Sequence, residues 1–68
     1  MLQFAERLKT LRIEAGLSQD ALAKQVGLTH TAIGLWEQKK RIPNLEAAAA
    51  LAAFFKVSLD YLAGIEEY

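Results

Sequence analysis

Apolar residues recur along this chain at helical intervals and nowhere alternate as a strand would. Phe4, Leu8, Leu11 and Ala15 follow one another at steps of 4, 3 and 4, one stripe of a helix over about residues 2–15. Gly16 predicts a left-handed cap at its end. Four further starts share one chemistry: Ser18, Thr29, Asn44 and Ser58 can each accept a hydrogen bond from the free N–H groups of a first turn. At three of them an apolar residue before the cap pairs with one five positions later: Leu17 with Leu22, Leu28 with Ile33, and Val57 with Leu62. That is hydrophobic-staple spacing. Gly27 closes the second helix, Pro43 precedes the fourth and Gly64 follows the fifth. The pattern predicts five helices with short connections, a single compact all-α domain over residues 1–68 with a tail at 64–68.

Helix four, about residues 45–55, is rich in alanine, which lets neighbours approach closely. Its inward face is expected to be Leu45, Ala48, Leu51, Ala52 and Phe55. The third helix is stranger. Its outward stripe reads Thr31, Gly34, Leu35 and Gln38, with a glycine at mid-helix and an apolar residue where solvent is expected.

Composition narrows the class. Sixty-eight residues lie near the lower limit for an apolar core without staples, and 53% hydrophobic residues are enough to build one. No cysteine is present, so disulfides and thiolate metal sites are excluded, which fits a reducing cytoplasm. The longest apolar run, residues 47–55, falls far short of the roughly 20 needed to span a bilayer. Met1-Leu2-Gln3 leads straight into a charged periodic segment, so no signal peptide is expected. The expectation is a soluble cytoplasmic protein, complete in itself rather than cut from a longer one. His30 is the only histidine and the carboxylates are scattered, so no catalytic set, metal site or cofactor is expected.

The net charge of zero hides an asymmetry. Residues 1–43 carry seven Lys/Arg against four acids, giving +3; residues 44–68 carry Lys56 against Glu46, Asp60, Glu66 and Glu67, giving −3. A basic front and an acidic back suit one end facing a polyanion and one turned away from it.

The sharpest signal lies around Gly27. Counting from Gln19, apolar residues fall at Leu22, Val26, Leu28, Ile33 and Trp36, with Ala23 and Gly27 between them. Ala23 must be small where two helices cross steeply, and Gly27 must supply positive φ for a tight turn. Leu22, Val26, Ile33 and Trp36 then face one core from both helices. This is helix-turn-helix spacing over about residues 19–38.

Those residues, with RLKTLR, GLSQDALAKQVGL, the Trp36-Glu37 pair, KKRIPNLE and VSLDYL, resemble the Xre-type helix-turn-helix family, the fold of the lambdoid phage repressors and Cro proteins. The resemblance covers about residues 4–62. It implies a five-helix lambda-repressor-like domain that binds double-stranded operator DNA, commonly as a homodimer, in bacterial or phage transcriptional control. It also implies that Arg12 pairs with Glu37, tying the first helix to the end of the recognition helix. A largely solvated pair of this kind contributes only about 0–1 kcal/mol.

Site residues follow from the same resemblance together with local chemistry. Gln19 opens the second helix, whose N–H groups and positive dipole end attract a phosphate. The resemblance gives Gln19 a part in seating the DNA backbone, with Ser18 as cap and phosphate contact. Gln38 leads into the basic loop Lys39-Lys40-Arg41, which would lie along the sugar-phosphate backbone. The family often has Gly where Lys39 stands, and a left-handed Lys costs about 1 kcal/mol relative to Gly. In the family the outward stripe of the third helix enters the major groove, so His30, Thr31, Gly34, Leu35 and Gln38 are the expected base-reading set. Gly34 would let the backbone press close to DNA, and Leu35 would touch thymine methyl groups.

The fifth helix and tail (Leu59, Tyr61, Leu62, Ile65 and Tyr68) hold more apolar residues than one short helix can bury, which predicts a two-fold dimer interface there. A rival remains open: an antitoxin-like or other protein-interaction module on the same fold. The zero net charge, the uncharged Gly34–Leu35 face, and apolar Leu2 and Ile13 on the outer side of the first helix favour it.

Overall fold

A computed structural model describes residues 3–65. Leu2 and Tyr68, expected on an outer face and in a dimer interface, lie outside the described residues. The described chain forms five helices: α1 (Phe4–Glu14), α2 (Gln19–Val26), α3 (His30–Glu37), α4 (Leu45–Phe55) and α5 (Leu59–Ala63). No strand occurs among the described residues.

Each of the last four helices begins as its cap residue predicts. The side chains of Ser18, Thr29, Asn44 and Ser58 accept from the N–H groups of Ala21, Ala32, Ala47 and Tyr61 at 2.8–3.1 Å. The staple partners Leu17, Leu28 and Val57 pack against the core beside their caps.

All five helices also end alike. One left-handed residue follows the helix, and the next N–H bonds back to the carbonyl five positions earlier, as in a Schellman closure. The left-handed residues are Gly16, Gly27, Lys39, Lys56 and Gly64. The bonds run Leu17 to Arg12, Leu28 to Ala23, Lys40 to Leu35, Val57 to Ala52 and Ile65 to Asp60, at 2.8–3.1 Å. Three of these stops were visible as glycines. Two are lysines, at φ 64° and 58°.

The core draws one fully buried aliphatic from every helix: Leu8, Leu22, Ile33, Leu51 and Leu62. Phe4 sets its ring edge-on to Trp36, with centroids 6.2 Å apart. Truncating such a residue to Ala costs about 2–5 kcal/mol. Small domains are stable by only about 5–15 kcal/mol, so losing any one of these residues removes a large share of the total.

Four expectations need correction. Ala15, placed on the buried stripe of α1, is exposed because it caps the helix after the stripe has turned away. Leu45, expected on the inward face of α4, is 69% exposed. It is the first helical residue after the Asn44 cap, and the buried face is carried by Ala47, Ala48, Leu51 and Ala52. Leu62, placed in the dimer interface, is fully buried in its own core and has no surface to offer a second copy. Gly34, expected on an outward stripe, is also buried.

The two ends of the described chain meet. The Gln3 N–H donates to the Ala63 carbonyl at 3.3 Å, and the Arg7 guanidinium donates to the Tyr61 carbonyl. The same guanidinium lies over the Tyr61 ring, 4.2 Å from its centroid. At Gly64 the approach is tight: a Cβ there would sit 2.8 Å from the Gln3 Cβ and 2.9 Å from its backbone nitrogen. With φ at +88°, Gly64 is required both for conformation and for space.

Candidate nucleic-acid interface

The turn between α2 and α3 is built as the sequence spacing demands. Ala23 is buried where the helices cross. Gly27 at φ 71° reverses the chain, and a Cβ added there would meet nothing, so backbone conformation rather than crowding is what calls for glycine. Leu22, Ile33 and Trp36 point into the core while Val26 packs at its margin.

At the far end of α3 a three-residue knot fixes this unit to α1. Arg12 donates from Nε to Glu37 Oε2 at 2.7 Å and from Nη2 to Glu37 Oε1 at 3.1 Å. Its Nη1 donates to the Leu17 carbonyl at 2.8 Å, which holds the loop between α1 and α2. Gln19 adds a third donor to the same carboxylate, Nε2 to Oε1 at 3.2 Å. The side chains of Arg12 and Glu37 are only 12% and 4% exposed. The carboxylate's hydrogen bonds hold the Arg12 guanidinium above its usual pKa, against the opposing effect of burial. The expected pair is therefore present, as a sheltered, bidentate one rather than a solvated one.

That knot changes the account of two site residues. The Gln19 amide nitrogen is engaged with Glu37, and its Oε1 lies across Gly34, 3.4 Å from where a Cβ would stand. Gln38 Nε2 lies 3.8 Å from the same point. Gly34 is covered by the two glutamine side chains, so its lack of a side chain has an intramolecular use as well as any at DNA. Around it, His30, Thr31 and Gln38 are exposed and Leu35 is half-buried. At the start of α2 Ser18 is exposed, and the Gln19 and Asp20 N–H groups lie in the first turn, where a helix offers them no partner.

The basic loop follows directly. Lys39 takes the left-handed conformation in place of the glycine common in the family, and its exposed ammonium pairs with Glu6 Oε2 at 3.1 Å. Glu6 was not singled out from sequence; it lies 33 positions from Lys39 and no periodicity links them. Lys40 and Arg41 are exposed and make no ion pair among the described residues. The exposed Asp20–Lys24 pair, at 3.2 Å, was overlooked although its i, i+4 spacing is readable. Ile42, 73% exposed, and Leu45 flank the loop, two apolar surface residues that the sequence pattern did not flag.

Of the fifth-helix set, Leu59 and Tyr61 are half-buried and Ile65 is 71% exposed. No helix among the described residues is long and apolar enough to cross a membrane, and no cluster of metal-ligating side chains occurs among them.

This geometry has close counterparts. The profile of the family described as Helix-turn-helix matches residues 8–62. The HTH-type transcriptional activator BcrR of Enterococcus faecalis is 39% identical over 66 residues, which is 97% of this chain and 32% of that protein. Repressor protein C2 of Salmonella phage P22 is 39% identical over 57 residues, 84% of this chain and 26% of that protein. The crystal structure of the P22 c2 repressor in complex with a synthetic operator superposes with a TM-score of 0.86 at 35% identity, covering 93% of this chain and 96% of that one. The chain thus spans about a third or less of these two full-length relatives.

Proposed function

The chain belongs to the helix-turn-helix family, and from that premise we propose that it is a sequence-specific regulator of transcription that binds double-stranded operator DNA and represses by occupying it. The observation that carries this reading is the knot at Glu37. It sets α3 rigidly against α1 and α2 while leaving His30, Thr31 and Gln38 open to solvent, with a basic loop immediately after. A rigid helix with exposed polar tips is what reading base edges requires, and cations at its end are what phosphates require. The similarity to a repressor held on its operator supports the same assignment.

In this reading His30, Thr31 and Gln38 hydrogen-bond to base edges or adjacent phosphates, and Leu35 meets thymine methyl groups. Gly34 keeps the α3 backbone low against the groove. Ser18 and the first N–H groups of α2 seat one phosphate, with Gln19 braced beside them, and Lys39, Lys40 and Arg41 follow the backbone beyond. The protein acts in the cytoplasm without a cofactor or enzymatic step.

A two-fold homodimer belongs to the same proposal, because one small domain reads few base pairs and paired half-sites lie about 34 Å apart. Leu59, Tyr61 and Ile65 are the candidates on α5; Leu62 is not.

Selection from a random duplex library tests the function directly. A recovered palindromic motif is expected, and recovery of no enriched sequence would overturn it. A second reading, docking to a protein partner, is favoured by the exposure of Ile13, Ile42 and Leu45. Salt separates the two: DNA binding weakens steeply as counterions are released, and an apolar protein interface does not.

A further inference from the structure

We propose that Glu6 is an internal competitor for phosphate, holding Lys39 back from the DNA backbone and setting the protein's affinity below what its basic loop alone would give. The proposal rests on the reading that residues 39–41 lie along phosphates.

Lys39 is not a loose loop residue. Its N–H donates to the Trp36 carbonyl at 3.1 Å, and the following N–H closes on Leu35 at 2.9 Å. The left-handed backbone between them fixes the direction in which the side chain leaves. From there the exposed side chain extends so that Nζ lies 3.1 Å from Glu6 Oε2 at the start of α1. The Glu6 carboxyl is accordingly held below its usual pKa, chiefly by the hydrogen bond from Lys39. Lys40 and Arg41, next in the chain, make no ion pair among the described residues. One cation of three is thus already neutralised, and by a carboxylate that would lie beside any phosphate reaching it.

An exposed pair of this kind is weak, so a phosphate can displace the carboxylate. The exchange has a signature. Each cation that neutralises a phosphate contributes about 0.9 to the salt slope of binding, through the counterion the DNA releases. When Lys39 changes partner, the freed Glu6 takes up a cation from solution, and the two effects nearly cancel. Lys39 then contributes contact without its share of affinity.

The test uses the full chain and a fluorescent duplex of random sequence, with anisotropy followed across a salt series. Glu6→Gln is an exposed, near-isosteric change that leaves the core intact. It is expected to tighten binding about fivefold near 0.15 M salt and to steepen the slope by about 0.9, the two being one effect. In a Lys39→Gln background, Glu6→Gln should then do almost nothing. Equal tightening in both backgrounds would show Glu6 acting only as a diffuse negative charge and would overturn the proposal, as would an unchanged slope. If the unaltered protein shows no salt-dependent affinity, and Lys40→Gln and Arg41→Gln are also silent, the phosphate reading of the loop fails and takes this proposal with it.

Discussion

Arg12 and Glu37 meet through two hydrogen bonds, at 2.7 and 3.1 Å, with both side chains largely shut off from water. Gln19 and the Leu17 carbonyl complete their hydrogen bonding. Removing one partner strands the other in a poorly hydrated place, which is costlier than the pair's own net contribution. Arg12→Ala is therefore expected to lower stability by about 2–3 kcal/mol, well above the range for solvated pairs. Replacing both residues by apolar ones of similar size should recover much of that loss. Urea denaturation of the two single variants and the double variant measures the coupling; a loss under about 0.5 kcal/mol would reduce the knot to a surface pair.

The two left-handed lysines give a paired prediction. Lys39→Gly and Lys56→Gly each relieve an unfavourable backbone, partly offset by the entropy glycine brings to the unfolded chain, for a gain of about 0.5–1 kcal/mol. In a domain this small, 1 kcal/mol moves the melting temperature by about 4–8 °C. Lys39→Gly should stabilise while changing duplex affinity little, because Glu6 already offsets most of what Lys39 gains at a phosphate, and Lys56→Gly should stabilise without touching DNA affinity. Thermal melts and anisotropy on the same samples check both.

Gly34→Ala separates folding from recognition. The new methyl would meet the Gln19 tip at 3.4 Å, an ordinary contact that a flexible side chain accommodates. Alanine in place of glycine within a helix is worth up to about 1 kcal/mol. A more stable protein that binds operator less well is expected. Unchanged operator affinity would mean that the glycine serves only the packing of Gln19 and Gln38.

Leu35 carries the expectation for base recognition. Leu35→Ala should reduce preference for particular A·T pairs while leaving non-specific affinity nearly intact, and replacing the matching thymines by uracil should mimic it. The two losses should not add. Should uracil be neutral at every position of the selected site, Leu35 reads no methyl group.

The Glu6 carboxyl provides a pH test. Its folded pKa is depressed by Lys39, so the stabilisation it contributes is present at neutral pH and is lost as pH falls through that lowered value. Carbon-detected NMR titration should place Glu6 below the ordinary glutamate range. In Lys39→Gln it should move back toward that range.

What the sequence disclosed and what it hid divide along physical lines. Helix starts were legible because a cap is one polar side chain acting three residues ahead, a purely local event at Ser18, Thr29, Asn44 and Ser58. The core followed from periodicity, which picked out Leu8, Leu22, Ile33 and Leu51 without knowledge of their partners. Leu45 was misplaced because an apolar residue at a first helical position matches the stripe but falls before the packed face begins. Leu62 was over-assigned because an apolar count on α5 does not say which residues the domain itself consumes. The Glu6–Lys39 pair and the stranding of Gln19 between Glu37 and Gly34 depend on where separate helices come to rest, and no linear pattern records that.

The meeting of Gln3 with Ala63 and Gly64 has a kinetic side. The helix-turn-helix unit joins neighbours in sequence and needs only a short loop to close. The seam between α1 and α5 joins residues some sixty positions apart, the widest closure the described chain must make. Loop-closure entropy grows with that separation, so the seam should form late, on a scaffold already assembled. A side chain at Gly64 would then act mainly on how fast the finished protein opens, and little on how fast it folds.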